Sequence, residues 1–242
     1  MSGRTRWLSF ERRGGAPPPD DEALALAEDG SFTARRTMGG PRIGSFEGRL
    51  PGDDMQRLNA AVDAAARAED LTLPTPGHGA TEVLEVAGRR LQLGSNETPP
   101  RPWRRLVEQA REALTGSAIA SPKAAVELVA DSRSARLDHA GDRPIEIDIG
   151  SVAVQVIRVA DEGGVLGRWN GRVTEGLVDD GEKLVPTPAW VTAGPGWSVP
   201  LPFDHPLELA PGDMFQVWVD VPIREGDRAR AARLYVPVLT DG

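Results

Sequence analysis

Histidine is the side chain whose ordinary pKa lies nearest neutrality, so the three histidines are the first candidates for proton transfer. His78 stands in Pro76-Gly-His-Gly, His139 in Asp138-His-Ala-Gly-Asp142 and His205 in Phe203-Asp-His-Pro. A hydrolytic triad needs a nucleophile, a base and an orienting acid brought together by the fold. Each histidine falls in a Gly- or Pro-containing stretch that reads as a turn, and no Gly-x-Ser-x-Gly elbow is present. The pattern therefore predicts no catalytic residue among them.

Two acidic groupings have metal-ligand types: Asp138, His139 and Asp142, and Asp179, Asp180 and Glu182. The first lacks a helical histidine pair, and the second lacks the long loop of a calcium hand. Both read as solvated turns, so no metal and no cofactor are expected. Gly39, Gly40, Gly44 and Gly48 invite a phosphate-loop reading. That chemistry needs amides at a helix N-terminus and a Lys followed by Ser or Thr, and neither follows here. Cysteine is absent, which excludes disulfides, thiolate metal sites and cysteine nucleophiles.

The aromatic residues are the stronger signal. Of six tryptophans, Trp169, Trp190, Trp197 and Trp218 lie in the second half, while the chain has one tyrosine. Residues 186–202 hold Trp190 and Trp197 among five prolines (186, 188, 195, 200 and 202). Proline interrupts ladder pairing, and Gly194 and Gly196 permit tight reversal, so a stiff looped surface segment is expected. Such a segment presents aromatics at low entropic cost. Trp190, Trp197 and Trp169 are the predicted binding residues; the competing reading is that these indoles fill a core.

The elements that must carry these residues change character near residue 120. Before it, Arg6–Arg12 reads as a strand, Ala23–Ala27 and Ser31–Met38 flank the turn Glu28-Asp-Gly30, and Ile43–Leu50 is another strand. Met55, Leu58, Val62 and Ala65 recur at helical spacing over Asp53–Glu69, and Trp103, Leu106, Val107, Ala110 and Leu114 do so over Pro102–Leu114. Between them Leu84, Val86, Leu91 and Leu93 alternate about Ala87-Gly88, a hairpin. Both helices are expected to cover one face of an antiparallel sheet.

After residue 120 short strands follow one another. Ala124–Ala130 and Arg133–Asp138 flank an Asp131 turn. Ile145, Ile147 and Ile149 alternate with Glu146 and Asp148, which places the isoleucines toward a core and the acids toward water. Val152–Arg158, Val165–Trp169, Met214–Val221 and Arg230–Leu239 complete the pattern. The fold class expected is an α+β domain over 1–118 followed by an all-β, immunoglobulin-like sandwich over 119–242.

Two resemblances accompany this pattern. Asp29-Gly-Ser-Phe-Thr, Gly44-Ser-Phe-Glu-Gly-Arg-Leu and Glu85-Val-Ala-Gly-Arg-Arg-Leu resemble a family of small bacterial α+β domains of unassigned function. That resemblance implies a fold and no site residues. Leu207-Glu-Leu-Ala-Pro-Gly-Asp-Met-Phe-Gln-Val, with Gly167-Arg-Trp169, looks like bacterial immunoglobulin-like modules, among them the intracellular proteinase-inhibitor family. No inhibitor residue is transferred.

Charge narrows the partners. The net charge of −8 is uneven. Residues 1–120 carry 16 basic and 17 acidic side chains, and 121–242 carry 12 and 19. An acidic second half repels phosphate backbones, so no nucleic-acid partner is expected. Nor is a membrane partner, since no long apolar run occurs. Only Lys123 and Lys183 are lysines, an arginine bias typical of a GC-rich bacterial genome. A start without an apolar stretch leads to the expectation of a cytoplasmic protein. The reading is a non-enzymatic protein-interaction module with another protein as partner; the alternative is a hydrolase or other enzyme with a site at the domain junction.

Overall fold

In the computed structural model the chain is mostly β with two helices. A nine-strand antiparallel sheet, extended by one short parallel strand, accompanies the helices, and a second antiparallel sheet is built from C-terminal strands. The structure describes residues 6–14, 20–67, 69, 71–72, 79–94, 97–120, 122–131, 133–160, 164–174, 177–179, 189–202, 205–208 and 214–239. Two compact units emerge: Met1–Arg36 with Ser45–Lys123, and Thr37–Gly44 with Ala124–Gly242.

The first unit runs β1 (Arg6–Gly14), β2 (Asp20–Ala27), β3 (Ser31–Arg36), the later part of β4 (Arg42–Arg49), α1 (Gly52–Ala65), β5 (Leu71–Thr72), β6 (Thr81–Val86), β7 (Arg89–Gly94) and α2 (Arg101–Ala120). Its strands lie in the order β4-β3-β2-β1-β6-β7-β5. Alternation puts Phe10 opposite both Leu24 and Leu84, and Leu8 opposite Leu26 and Val86, so one face of the sheet is apolar. The helices supply its cover. α1 buries Leu58, Ala61, Val62 and Ala65, and α2 buries Trp103, Leu106, Val107, Ala110 and Leu114. The two pack on one another, and α2 also packs on β2 and β3. Both expected helices are present; α1 stops at Ala65, four residues earlier than its apolar stripe and acidic tail indicated. Asp53 and Asp54 stand in its first turn, where their charge complements the helix dipole.

The second unit comprises Arg42–Gly44 of β4 with β8 (Pro122–Ala130), β9 (Ser134–Gly141), β10 (Ile145–Asp148), a 3-10 turn (Ile149–Ser151), β11 (Ala153–Val159), β12 (Val165–Thr174), β13 (Leu177–Asp179), β14 (Trp190–Ala193), β15 (Ser198–Pro202), β16 (Met214–Glu225) and β17 (Arg228–Leu239). One layer orders β15-β9-β8-β4; the other orders β13-β12-β11-β16, with β17 along the far side of β16 and β10-β14 continuing above β11. Ile43, Val126, Leu128, Leu137 and Leu201 from the first layer share one core with Ile145, Ile147, Val154, Val156, Phe215, Val217, Val219 and Leu234 from the second.

Thr37–Gly44, from the N-terminal half of the sequence, is part of this second unit. The Arg233 amide donates to the Thr37 carbonyl at 2.7 Å, Tyr235 to Gly40 at 2.8 Å and Leu128 to Pro41 at 2.7 Å. The segment thus ties β17 to β8, and Ile43 enters the core beneath it.

Two local expectations are corrected. The isoleucine alternation ends one residue early: Ile149 lies in the 3-10 turn and is half-buried, and Asp148, expected in water, is 3% exposed. The carboxylate is compensated by hydrogen bonds from the Gly150 amide (3.2 Å), the Ser151 hydroxyl (2.6 Å) and the Ala189 amide (2.6 Å). The proline-rich segment is also more regular than expected. Residues 189–202 form two strands joined by a turn at Gly194–Trp197, and Pro200 and Pro202 stand within β15, opposite Arg136 and Ser134. Among the described residues β15 is an edge strand with a single ladder neighbour, where a missing amide costs no ladder bond. Residues 186–188 lie outside the described residues.

Candidate binding face on the second sheet

β16 alternates strictly. Phe215, Val217, Val219, Val221 and Ile223 are buried in the core, so Gln216, Trp218, Asp220 and Arg224 stand on the opposite, outer face. The register carries this face across the sheet: Trp218 pairs with Gln155 on β11 and Tyr235 on β17, and Asp220 pairs with Ala153 and Arg233. On β10 and β14, Glu146 and Trp190 share the outer side, because Ile145, Ile147 and Ala193 point to the core.

Two tryptophan–arginine–carboxylate stacks stand on this face. The Arg224 guanidinium lies 4.5 Å from the centre of the Trp190 ring and donates to both Glu146 oxygens at 2.7 and 2.9 Å. The Arg233 guanidinium lies 5.8 Å from the Trp218 ring and donates to both Asp220 oxygens at 2.5 and 2.8 Å. Trp218 also packs against Tyr235, ring centres 4.5 Å apart. Asp220 and Arg224 are four residues apart on one strand, so the stacks are separated by about 13 Å. The carboxylates hold each fork in plane while its ring fixes the face, so these long side chains are ordered in advance. Their electrostatics agree: the hydrogen bond from Arg224 lowers the Glu146 carboxyl below its ordinary value, and the bond to Asp220 raises Arg233.

The structure separates the three tryptophans singled out from the sequence. Trp190 is half-buried on the outer face, where Asp148 anchors the preceding residue Ala189 and sets the start of β14. Trp197 closes the turn before β15, half-buried against the core, its amide donating to the Gly194 carbonyl. Trp169 is a core residue at 8% exposure, its ring 6.4 Å from that of His205. Trp218, Tyr235, Arg224 and Arg233 were not singled out. The alternation of β16 placed Trp218 outside the core, but its neighbours come from cross-strand register that sequence alone does not provide.

His139 is placed differently from its expected turn, while His205 lies outside the strands. His139 lies inside β9, opposite Val126, with Nε2 at 2.8 Å from the Arg143 carbonyl oxygen. His205 is buried, its ring 6.4 Å from that of Trp169 and 5.8 Å from that of Phe215. His78 lies outside the described residues, as do Asp180 and Glu182. Grooves of about 290, 260 and 300 Å³ occur in the structure, and none is lined by a histidine. Among the described residues no group of three or more His, Asp or Glu could hold a metal ion, and no helix is long and apolar enough to cross a membrane.

The first unit holds a second cluster that sequence reasoning missed. Glu82 (1% exposed) accepts from Arg12 at 2.8 and 3.1 Å and from Arg111 of α2. Arg12 also donates to Glu22 at 2.9 Å, and Glu22 accepts from Arg36 at 3.2 Å. The chain of charges Arg111–Glu82–Arg12–Glu22–Arg36 crosses the helix-covered side of the sheet. Its carboxylates are occupied by guanidinium groups, which makes it a cross-brace between β1, β2, β3, β6 and α2.

One acidic residue gives the sheet edge a pH dependence. The Asp138 carboxyl is held below its ordinary 3.8, chiefly by the hydrogen bond from Arg136, with the Ser198 hydroxyl of β15 adding to it and burial opposing it. A depressed carboxyl pKa contributes stability that is complete above about pH 5 and is lost as pH falls through the lowered folded value. The His139 amide donates to the Trp197 carbonyl at 3.0 Å and so reports on attachment of this edge. Its hydrogen exchange, corrected for intrinsic rate, is expected to be flat from pH 7 to 5 and to accelerate below 3.8. Acceleration already near pH 6 would assign the edge to another group.

No protein-family model and no curated protein matches the chain.

Proposed function

We propose that this protein is a non-enzymatic protein-interaction module, working through the outer face of its second sheet. The observation that carries the reading is the pair of tryptophan–arginine–carboxylate stacks, Trp190–Arg224–Glu146 and Trp218–Arg233–Asp220, on one face. Trp, Tyr and Arg are the residue types that dominate binding energy at protein interfaces, and here all three stand together. Ordering such side chains before the encounter removes part of the entropy cost of association. The partner is another protein. In this reading Trp190 is a contact residue and Trp218 takes the place that the sequence offered to Trp169.

The fold supports the same class. The first unit, an antiparallel sheet covered on one side by two helices, fits the α+β reading, and the second unit, two layers about one core, fits an immunoglobulin-like sandwich. Sandwiches of that kind present faces and loops to partners, consistent with the resemblances in the sequence.

The test is partner capture from the native host, read by mass spectrometry, followed by calorimetry with the purified partner. The double variant Arg224→Ala/Arg233→Ala is expected to weaken binding by at least about 2 kcal/mol, the size of an interface hot spot. Equal capture and equal affinity for the parent and a folded double variant would remove this face from the function.

A further inference from the structure

Beside the Trp218 stack the outer face dips into an open hollow of about 300 Å³, and we infer that it is a binding site for a neutral oligosaccharide. This goes beyond the protein-binding reading and does not depend on it. The floor is the small Ala153 side chain and the strand backbone at Gly171, which pairs with the core residue Val154. Gln155 and Asn170 form one wall; Trp218, Asp220 and Arg233 form the other.

The hydrogen-bonding capacity of these walls identifies the ligand. Gln155 Nε2 donates to Asn170 Oδ1 at 2.6 Å, which leaves the Gln155 carbonyl oxygen as an acceptor and the Asn170 amide N–H groups as donors. Asp220 accepts from Arg233 Nε and Nη2 and retains further lone pairs; Arg233 retains Nη1 as a donor. Donors and acceptors therefore stand on both sides of one hollow, all on planar groups. A sugar hydroxyl both donates and accepts, and two adjacent hydroxyls match the two ends of a planar amide or carboxylate. Trp218 adds apolar aromatic surface for the C–H groups of a pyranose ring.

Other ligands match less well. A phosphate offers only acceptors and seeks an uncompensated cation, whereas Arg233, the cation lining the hollow among the described residues, is already paired with Asp220. A proline-rich segment offers backbone carbonyl acceptors, which leaves the Gln155 oxygen and Asp220 facing no donor. A neutral polyhydroxylated ring satisfies both sets at once.

The full chain should be tested against immobilised cello-, xylo-, malto- and mannohexaose, with affinities by calorimetry. At least one is expected to bind with a Kd of about 0.1–1 mM, typical of a small open polar site. Gln155→Ala/Asn170→Ala is expected to weaken it by at least about tenfold, with the melting temperature unchanged because both side chains are on the surface. Binding of none of the four, or binding that the double variant leaves intact, overturns the inference. So does displacement of the saccharide by inorganic phosphate or by a proline decapeptide. Absent saccharide binding together with intact protein capture refutes this site alone, and the reverse result refutes the protein interface alone.

Discussion

Replacement of Glu82 by alanine is expected to lower the stability of the first unit by about 2–4 kcal/mol, a fall in melting temperature of roughly 10 °C. Glu82 is 1% exposed and receives N–H groups from both Arg12 and Arg111. Removing it takes from Arg111 the carboxylate it donates to and leaves Arg12 paired with Glu22. The cost exceeds the lost bonds, because a partly buried guanidinium keeps its desolvation penalty with fewer bonds to compensate it. Arg12 and Arg111 are 26% and 32% exposed at their side chains, so each can turn partly to water, which places the effect below that of a fully enclosed pair. The comparison variant is Glu82→Gln, which keeps the shape and some hydrogen bonding but removes the charge. Thermal denaturation should rank the parent above Glu82→Gln and Glu82→Ala lowest. An alanine variant melting within about 2 °C of the parent would show that the network contributes no more than an exposed ion pair.

The same cluster shows what was legible in the sequence. Glu82 shares its parity with Leu84 and Val86, Arg12 with Leu8 and Phe10, and Glu22 with Leu24 and Leu26, so three charges stand on inward positions of three strands. Alternation alone could have raised that conflict. Its resolution could not be read, because it depends on which strands are neighbours: Arg12 meets Glu22 and Glu82 only because β1 lies between β2 and β6. The outer face of the second sheet follows the same rule. Periodicity places Trp218 outside the core, but pairing with β11 and β17 is what surrounds it with Gln155, Tyr235 and Arg233. Much of the local chemistry was readable. The apolar stripes specified both helices, and Ala87-Gly88, with φ values of 47° and 75°, made the two-residue hairpin that its alternating flanks required. Long-range assignment was not readable. Pro200 in β15 reads as a breaker until its strand is known to be an edge.

The contribution of Thr37–Gly44 to the second unit leads to the other large effect: Gly44→Ala is expected to cost about 3–5 kcal/mol. Gly44 has φ of +124°, a conformation strained for any L side chain by about 1–3 kcal/mol. A Cβ there would also lie 2.2 Å from the Ala124 carbonyl oxygen and 2.7 Å from the Ala125 Cα. Those atoms belong to the backbone of β8, so relief requires moving the strand rather than rotating a side chain, an overpacking cost of about 1–3 kcal/mol. Gly88→Ala separates the two terms. Gly88 has φ of +75° with open space around its Cβ position, so it incurs only the conformational cost. The difference between the two variants in chemical denaturation measures the close approach of β4 to β8 together with the extra strain of φ +124° over +75°. The same contact predicts the behaviour of a chain cut near residue 118. A fragment spanning 119–242 lacks Ile43, which is fully buried, and the carbonyl partners of the Arg233, Tyr235 and Leu128 amides. It should melt without cooperativity and bind a hydrophobic dye, and a fragment carrying 37–44 joined through a flexible linker should recover a sharp transition. A cooperative melt from 119–242 alone, at the temperature of the intact chain, would show that the segment rests on a unit already complete without it.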